Sequence, residues 1–336
     1  MIHPKGPKWF FLLAIKLSLS GSLLFYILQI IPFSRILETL SRATPSLVFS
    51  ALALFCLGRF IMAFQLKRIM DSLGMELSTA QIFRINLITS FYELFLPGSV
   101  VTGIIRWYKL SHLSKMKIPT LAAIGINRLI LLVVIILTGV VCWLVVAMPQ
   151  NTILTGVLVI FILVAFLIVY SLFMNDRLFV SIFNRVEKAT SLFFPEMVQN
   201  KILKLTNALK KFHDLPFRAK LEIFWLQLGA GVISILGWFL LAESLMLSVS
   251  PFTLGWIRSF LAMVVLIPIH VAGLGIREGS MMVLLPMYGV ALDEALAFSF
   301  LLFFIQIFWG TIGGILEGWN LFILGEKKVT TKQFAQ

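Results

Sequence analysis

The sequence predicts an all-α polytopic membrane protein, with six full spans and two opposed re-entrant helical hairpins in an inverted repeat. Three observations lead there. Hydrophobic residues make up 60% of the chain and charged residues only 13%, against about 25% charged in a soluble domain. Polar material is too scarce to coat an aqueous core of 336 residues, and the bilayer is the natural solvent for the surplus. Six apolar runs reach the roughly 20 residues needed to cross the hydrocarbon. Two further apolar stretches are interrupted by proline and glycine.

The six runs are 9–31, 46–66, 118–147, 152–173, 221–247 and 294–324. Lys5 and Lys8 precede the first run as in a signal peptide. No small-residue cleavage site follows, so a retained span is expected. The broken stretches are 85–110, interrupted by Leu96-Pro97-Gly98 and Gly103, and 253–290, interrupted by Pro268, Gly273, Gly275 and Arg277-Glu278. Such breaks at membrane depth are tolerated where protein or a wet cavity surrounds the freed backbone.

Basic loops set the orientation. With Lys5 and Lys8 inside, the 67–84 segment is also inside. So is 106–117, which carries Arg106, Lys109, Lys115 and Lys117 and no acid. The first broken stretch then leaves and returns on the cytoplasmic side. Segment 174–220, with nine Lys/Arg against four Asp/Glu, and the tail with Lys327, Lys328 and Lys332 are inside too. The second broken stretch must therefore return to the outer face. Both termini are expected in the cytoplasm of a cell whose inner membrane holds the chain.

Two domains follow, a first membrane repeat over 1–147 and a second over 148–336 with a cytoplasmic amphipathic insert at about 174–220. Each reads span, span, broken hairpin, span. Three crossings per half invert the second half relative to the first, as in transporters whose discontinuous helices meet near the midplane. Proline precedes arginine by nine positions in both breaks, and Arg106 and Arg277 are 171 residues apart.

The net charge of +13 does not indicate nucleic acid, because the basic residues sit in short clusters between apolar runs. Cys56 and Cys142 lie inside apolar runs, and His3, His112, His213 and His270 are scattered. No disulfide framework, metal site or cofactor is expected. No nucleotide-binding loop or nucleophile elbow is present, so neither a primary pump nor an enzyme is expected.

Intramembrane charge needs a partner or a purpose. Arg128 lies about ten residues into its span, roughly 15 Å along the helix, and is expected to face a polar cavity or to join an ion pair. Arg106 and Arg277 flank the breaks, where a guanidinium fork suits a lipid phosphodiester. The bland alternative pairs Arg277 with Glu278 to hold the hairpin. Glu93 is a candidate partner for an arginine or a cationic headgroup, and His270 a titratable or merely structural residue. Gly103, Gly273 and Gly275 are read as turn formers or close-packing positions. Lys16 and Arg59 can snorkel, Glu243 and Arg258 lie near the outer interface, and Asp293-Glu294 reads as helix-start chemistry.

Pro268 to Ala295, with Gly-Leu-Gly-Ile-Arg-Glu-Gly at 273–279, resembles the signature of the lysylphosphatidylglycerol synthase transmembrane family. Asn86 to Arg106 and the run Ala122 to Leu129, which includes Asn127-Arg128, are similar to two more of its signatures. The family includes the flippase domain of the multiple peptide resistance factor. The resemblance implies handling of an anionic or zwitterionic membrane lipid by Arg106, Arg128, Arg277, Glu278, Glu93, Asn127 and His270. The chain departs from the family pattern at Ile104 and Asn127, where acids are common, and near Phe303, where an arginine is common. The aminoacyl-transferring domain of the long members is not expected, so lysyl transfer is not implied.

The leading expectation is translocation of a phospholipid or polyprenyl-type lipid headgroup. Two alternatives stay open. One is a membrane-embedded transferase of glycosyl or aminoacyl groups on a lipid carrier, with Glu93 or Glu278 as its acid. The other is an accessory subunit that docks an envelope lipid-synthesis enzyme through 174–220. A second copy of the chain is a further candidate partner.

Overall fold

A computed structural model describes residues 33–96, 99–147, 160, 164, 196–265 and 273–333. Among these residues the fold is all-helical. The helices are α1 (Phe33–Ser41), α2 (Pro45–Ser72), α3 (Thr79–Phe95), α4 (Ser99–Ser114), α5 (Lys117–Ala147), α6 (Glu196–His213), α7 (Phe217–Ser244), α8 (Pro251–Val264), α9 (Ile276–Leu284) and α10 (Leu292–Gln333).

Four of them, α2, α5, α7 and α10, are long and apolar enough to cross a membrane. They coincide with the predicted runs 46–66, 118–147, 221–247 and 294–324. The runs 9–31 and 152–173 lie outside the described residues, apart from the helical positions 160 and 164. Each broken stretch holds two short helices, α3 and α4 in the first, α8 and α9 in the second. At 1.5 Å per residue, 9 to 17 residues reach about 14–26 Å, short of a hydrocarbon core of about 30 Å.

The chain divides into two compact units, each drawing on both sequence halves. The first comprises residues 1–43, 83–106 and 264–336, and the second 44–82 and 107–263.

In the second unit α2 and α7 run antiparallel along their whole length. The Thr44 amide donates to the Ser244 carbonyl at 2.9 Å at one end. Arg68 forks onto Glu222 at 2.9 and 3.0 Å at the other. Between them Gly237 lies against the Phe55 ring, and Gly58 faces the Ala230 carbonyl. Small residues at such crossings let backbones approach, which drives helix association where lipid supplies no hydrophobic force. α5 joins this pair through Val134 on Gly231, and meets α8 where Cys142 packs on Gly255. α6 packs on α5 and α2, turning Thr206, Phe212 and His213 inward and Lys204 and Lys211 outward. The amphipathic character read for 174–220 is thus visible over this helix.

In the first unit α10 is the organising element. Half of its apolar window is buried, against 17% for α2. Ile36 of α1 packs with Leu296 and Ala297 of α10 in a fully buried cluster, with Met282 and Phe300 at its edge. α10 opens on Asp293 and Glu294, whose Oε2 accepts the Ala291 amide at 3.1 Å, so the predicted helix-start chemistry is present.

Candidate functional site

The most charged part of the described interior lies in the first unit, where α9 begins beside α10. Gly273 and Gly275 hold positive φ angles of 80° and 82°. A side chain there would be strained, so glycine is required to turn the chain into α9. The Glu278 Oε2 then accepts the Gly275 amide at 2.6 Å, closing the first turn. This carboxylate occupies the positive end of the helix, the place where a free anion would otherwise bind.

The other Glu278 oxygen holds Arg277. Its Oε1 receives Arg277 Nη2 at 2.6 Å and Nε at 3.1 Å, and Ser299 Oγ at 3.4 Å. Arg277 Nε also reaches Ser299 Oγ at 3.2 Å, and Nη1 donates to Gln306 Oε1 at 3.2 Å. The guanidinium lies 5.0 Å from the Phe303 ring centroid. Arg277 is 6% exposed and Glu278 fully buried. Of the five N–H donors of arginine, three are engaged, and two have no acceptor among the described residues. The pairing with Glu278 read from sequence as the bland alternative is therefore present, and among the described residues it leaves part of the fork without an acceptor.

The partners on α10 share one face. Ser299, Phe303, Gln306, Gly310, Gly313 and Glu317 recur at intervals of four, three, four, three and four, the spacing of a single helical stripe. The eighteen residue steps from Ser299 to Glu317 cover about 27 Å, close to the hydrocarbon thickness. The far end of the stripe meets α3. A Cβ on Gly313 would overlap the Leu87 carbonyl, one on Gly310 would overlap the Leu94 side chain, and one on Gly314 would lie 2.7 Å from the Phe91 ring. Glu317, 7% exposed, accepts a hydrogen bond from the Tyr92 hydroxyl at 2.8 Å.

The remaining candidates fall elsewhere. Asn127 is buried in the second unit, donating from Nδ2 to Gln65 Oε1 at 2.7 Å. Gln65 Nε2 in turn donates to the Ile223 carbonyl at 3.3 Å, so the two amides tie α5, α2 and α7 together. Gln227, one turn along α7, is also buried, and its Oε1 has no partner among the described residues. Arg128 is exposed on α5, sharing a face with Leu121, Gly125 and Leu129. Arg106 and Glu93 are half-buried on α4 and α3. Gly103 lies within α4 with open space where a Cβ would go. Pro97, Gly98, Pro268 and His270 lie outside the described residues. Arg258 donates from Nε to Ser234 Oγ at 2.9 Å.

Sequence reasoning missed Ser299, Gln306, Glu317 and Gln65. Their signal was a single polar residue inside an apolar run, and for the α10 set the common 3–4 spacing.

Residues 13–314 match the family described as the lysylphosphatidylglycerol synthase TM region. The chain belongs to that family. Membership and four membrane-length apolar helices make this member of the lysylphosphatidylglycerol synthase transmembrane family a multi-pass membrane protein. The match takes in both broken stretches and α10 as far as Gly314, and so includes the Arg277 network. No curated protein matches the chain as a relative.

Proposed function

We propose that the protein is a lipid transporter that moves a phospholipid or polyprenyl-type headgroup across the bilayer, with the acyl chains remaining in the membrane. The observation that carries this reading is Arg277, a nearly buried guanidinium with two N–H groups that have no acceptor among the described residues, beside a stripe on α10 that carries Ser299, Gln306 and Glu317. A phosphodiester is the ligand that a partly engaged arginine fork suits best. Glu278 acts by positioning, since its two oxygens already take four hydrogen bonds. Ser299 and Gln306 continue the polar surface from Arg277 along α10. Arg106 in the first unit and, separately, Arg128 on the exposed face of α5 in the second are further candidates for phosphate contact.

In this reading the short helices of the two broken stretches are re-entrant hairpins of opposite sense. With six full spans they complete an inverted repeat in the inner membrane, with both termini cytoplasmic. The short lengths of α3, α4, α8 and α9 and the matching Pro-to-Arg spacing support it. No chemical step is assigned to the chain.

Mass spectrometry of lipids retained through mild purification tests the reading. A single phosphate-bearing lipid class enriched over the bulk membrane, and lost in Arg277→Ala, is the expected result. A bulk-membrane profile in both proteins would count against it.

A further inference from the structure

Glu317 has no part in binding phosphate, yet an acid buried within a membrane-length helix is costly and calls for a purpose. One of its partners is the Tyr92 hydroxyl at 2.8 Å, supplied by α3. Along the same contact α3 closes over the stripe of α10. The Leu87 carbonyl sits where a Gly313 side chain would be, and Leu94 covers Gly310. Thus the Gly310–Glu317 half of the stripe is shut by α3, while the Ser299–Gln306 half carries the Arg277 network. At Gly310, Gly313 and Gly314 the absence of a side chain lets Leu94, the Leu87 backbone and Phe91 of α3 approach α10 directly. Such a contact between two helices in lipid holds by close packing and a few polar bonds.

We propose that the Tyr92–Glu317 hydrogen bond is a latch that holds α3 against α10, and that its release opens the Gly310–Glu317 half of the stripe to water and to a headgroup. The second clause rests on the transport reading; the latch itself does not.

The test is thiol labelling of Leu87→Cys in a Cys56→Ser, Cys142→Ala background, reconstituted in vesicles of phosphatidylethanolamine and phosphatidylglycerol. A water-soluble maleimide needs a hydrated thiolate, and Leu87 is buried at 6% exposure, so labelling reports opening. Adding Tyr92→Phe removes only the hydroxyl. It is expected to raise the labelling rate about three- to eighteen-fold, the range for loss of one interhelical hydrogen bond in a membrane. Glu317→Gln keeps an acceptor for Tyr92 and is expected to raise it less. Ala123→Cys, fully buried on α5, is the control and is expected to stay constant.

Unchanged labelling in Tyr92→Phe would overturn the latch. So would an equal rise at both cysteines, which would mean general loosening. Fluorescent phosphatidylglycerol in the same vesicles separates the two ideas. Faster labelling with no lipid movement in any variant supports the latch and sinks the transport reading.

Discussion

Two buried polar networks, one in each unit, are built in different ways. In the second unit the Gln65–Asn127 pair is neutral, and each described bond ties one helix to another. In the first, Arg277 and Glu278 are adjacent charges, and their bonds leave two guanidinium N–H groups without an acceptor among the described residues. Amide pairs between helices add packing specificity at little electrostatic cost. A buried ion pair carries a desolvation penalty that an apolar replacement would avoid. The difference teaches where to look for function: the neutral clamp accounts for structure, whereas the costly pair calls for a ligand.

Substitutions in the two units should separate on that basis. Arg277→Ala has the largest expected effect. It leaves Glu278 buried without its main partner, a loss of about 3–5 kcal/mol that thermal unfolding in detergent would register, and under the proposed function it is expected to abolish lipid movement. Arg277→Lys keeps the charge but not the fork, and is expected to restore stability more than transport. Gly313→Ala comes next, since the new Cβ meets the Leu87 backbone, which cannot rotate away. A cost of about 1–3 kcal/mol is expected, read as a lowered Tm.

Asn127→Ala strands the buried Gln65 Oε1 acceptor, at about 1–3 kcal/mol. In contrast to Arg277, it should leave the transport rate per folded molecule unchanged. Arg68→Ala is smallest. Its pair with Glu222 is 45% and 40% exposed, so solvent screening holds the cost below about 1 kcal/mol. Transport lost in Asn127→Ala but retained in Arg277→Ala would invert the assignment of the two units.

Much of the described fold was legible from hydropathy, because a membrane span is written as a long apolar run. α2, α5, α7 and α10 fall within a few residues of the predicted limits, except where α2 continues six residues past 66 and α10 continues beyond 324. The second break was legible in Gly273 and Gly275, which only their positive φ angles explain. Arg277-Glu278 was visible as adjacent charges. The rest depends on which side of a helix faces protein. Ser299, Gln306 and Glu317 look like interruptions of an apolar run until α9 and α3 are known to pack on the same stripe. Arg128 and Asn127 are neighbours in sequence, yet the 100° step of the helix sends Asn127 inward to Gln65 and leaves Arg128 exposed. Depth along a span can be read from sequence, but facing cannot.

The most direct test of the central claim is the rate at which fluorescent phosphatidylglycerol changes leaflet in vesicles, measured by chemical quenching of the outer leaflet. Purified protein, Arg277→Ala and Asn127→Ala should be compared at equal folded content. The account predicts rapid exchange with the unaltered protein and Asn127→Ala, and exchange no faster than protein-free vesicles with Arg277→Ala. Full exchange in folded Arg277→Ala would contradict it.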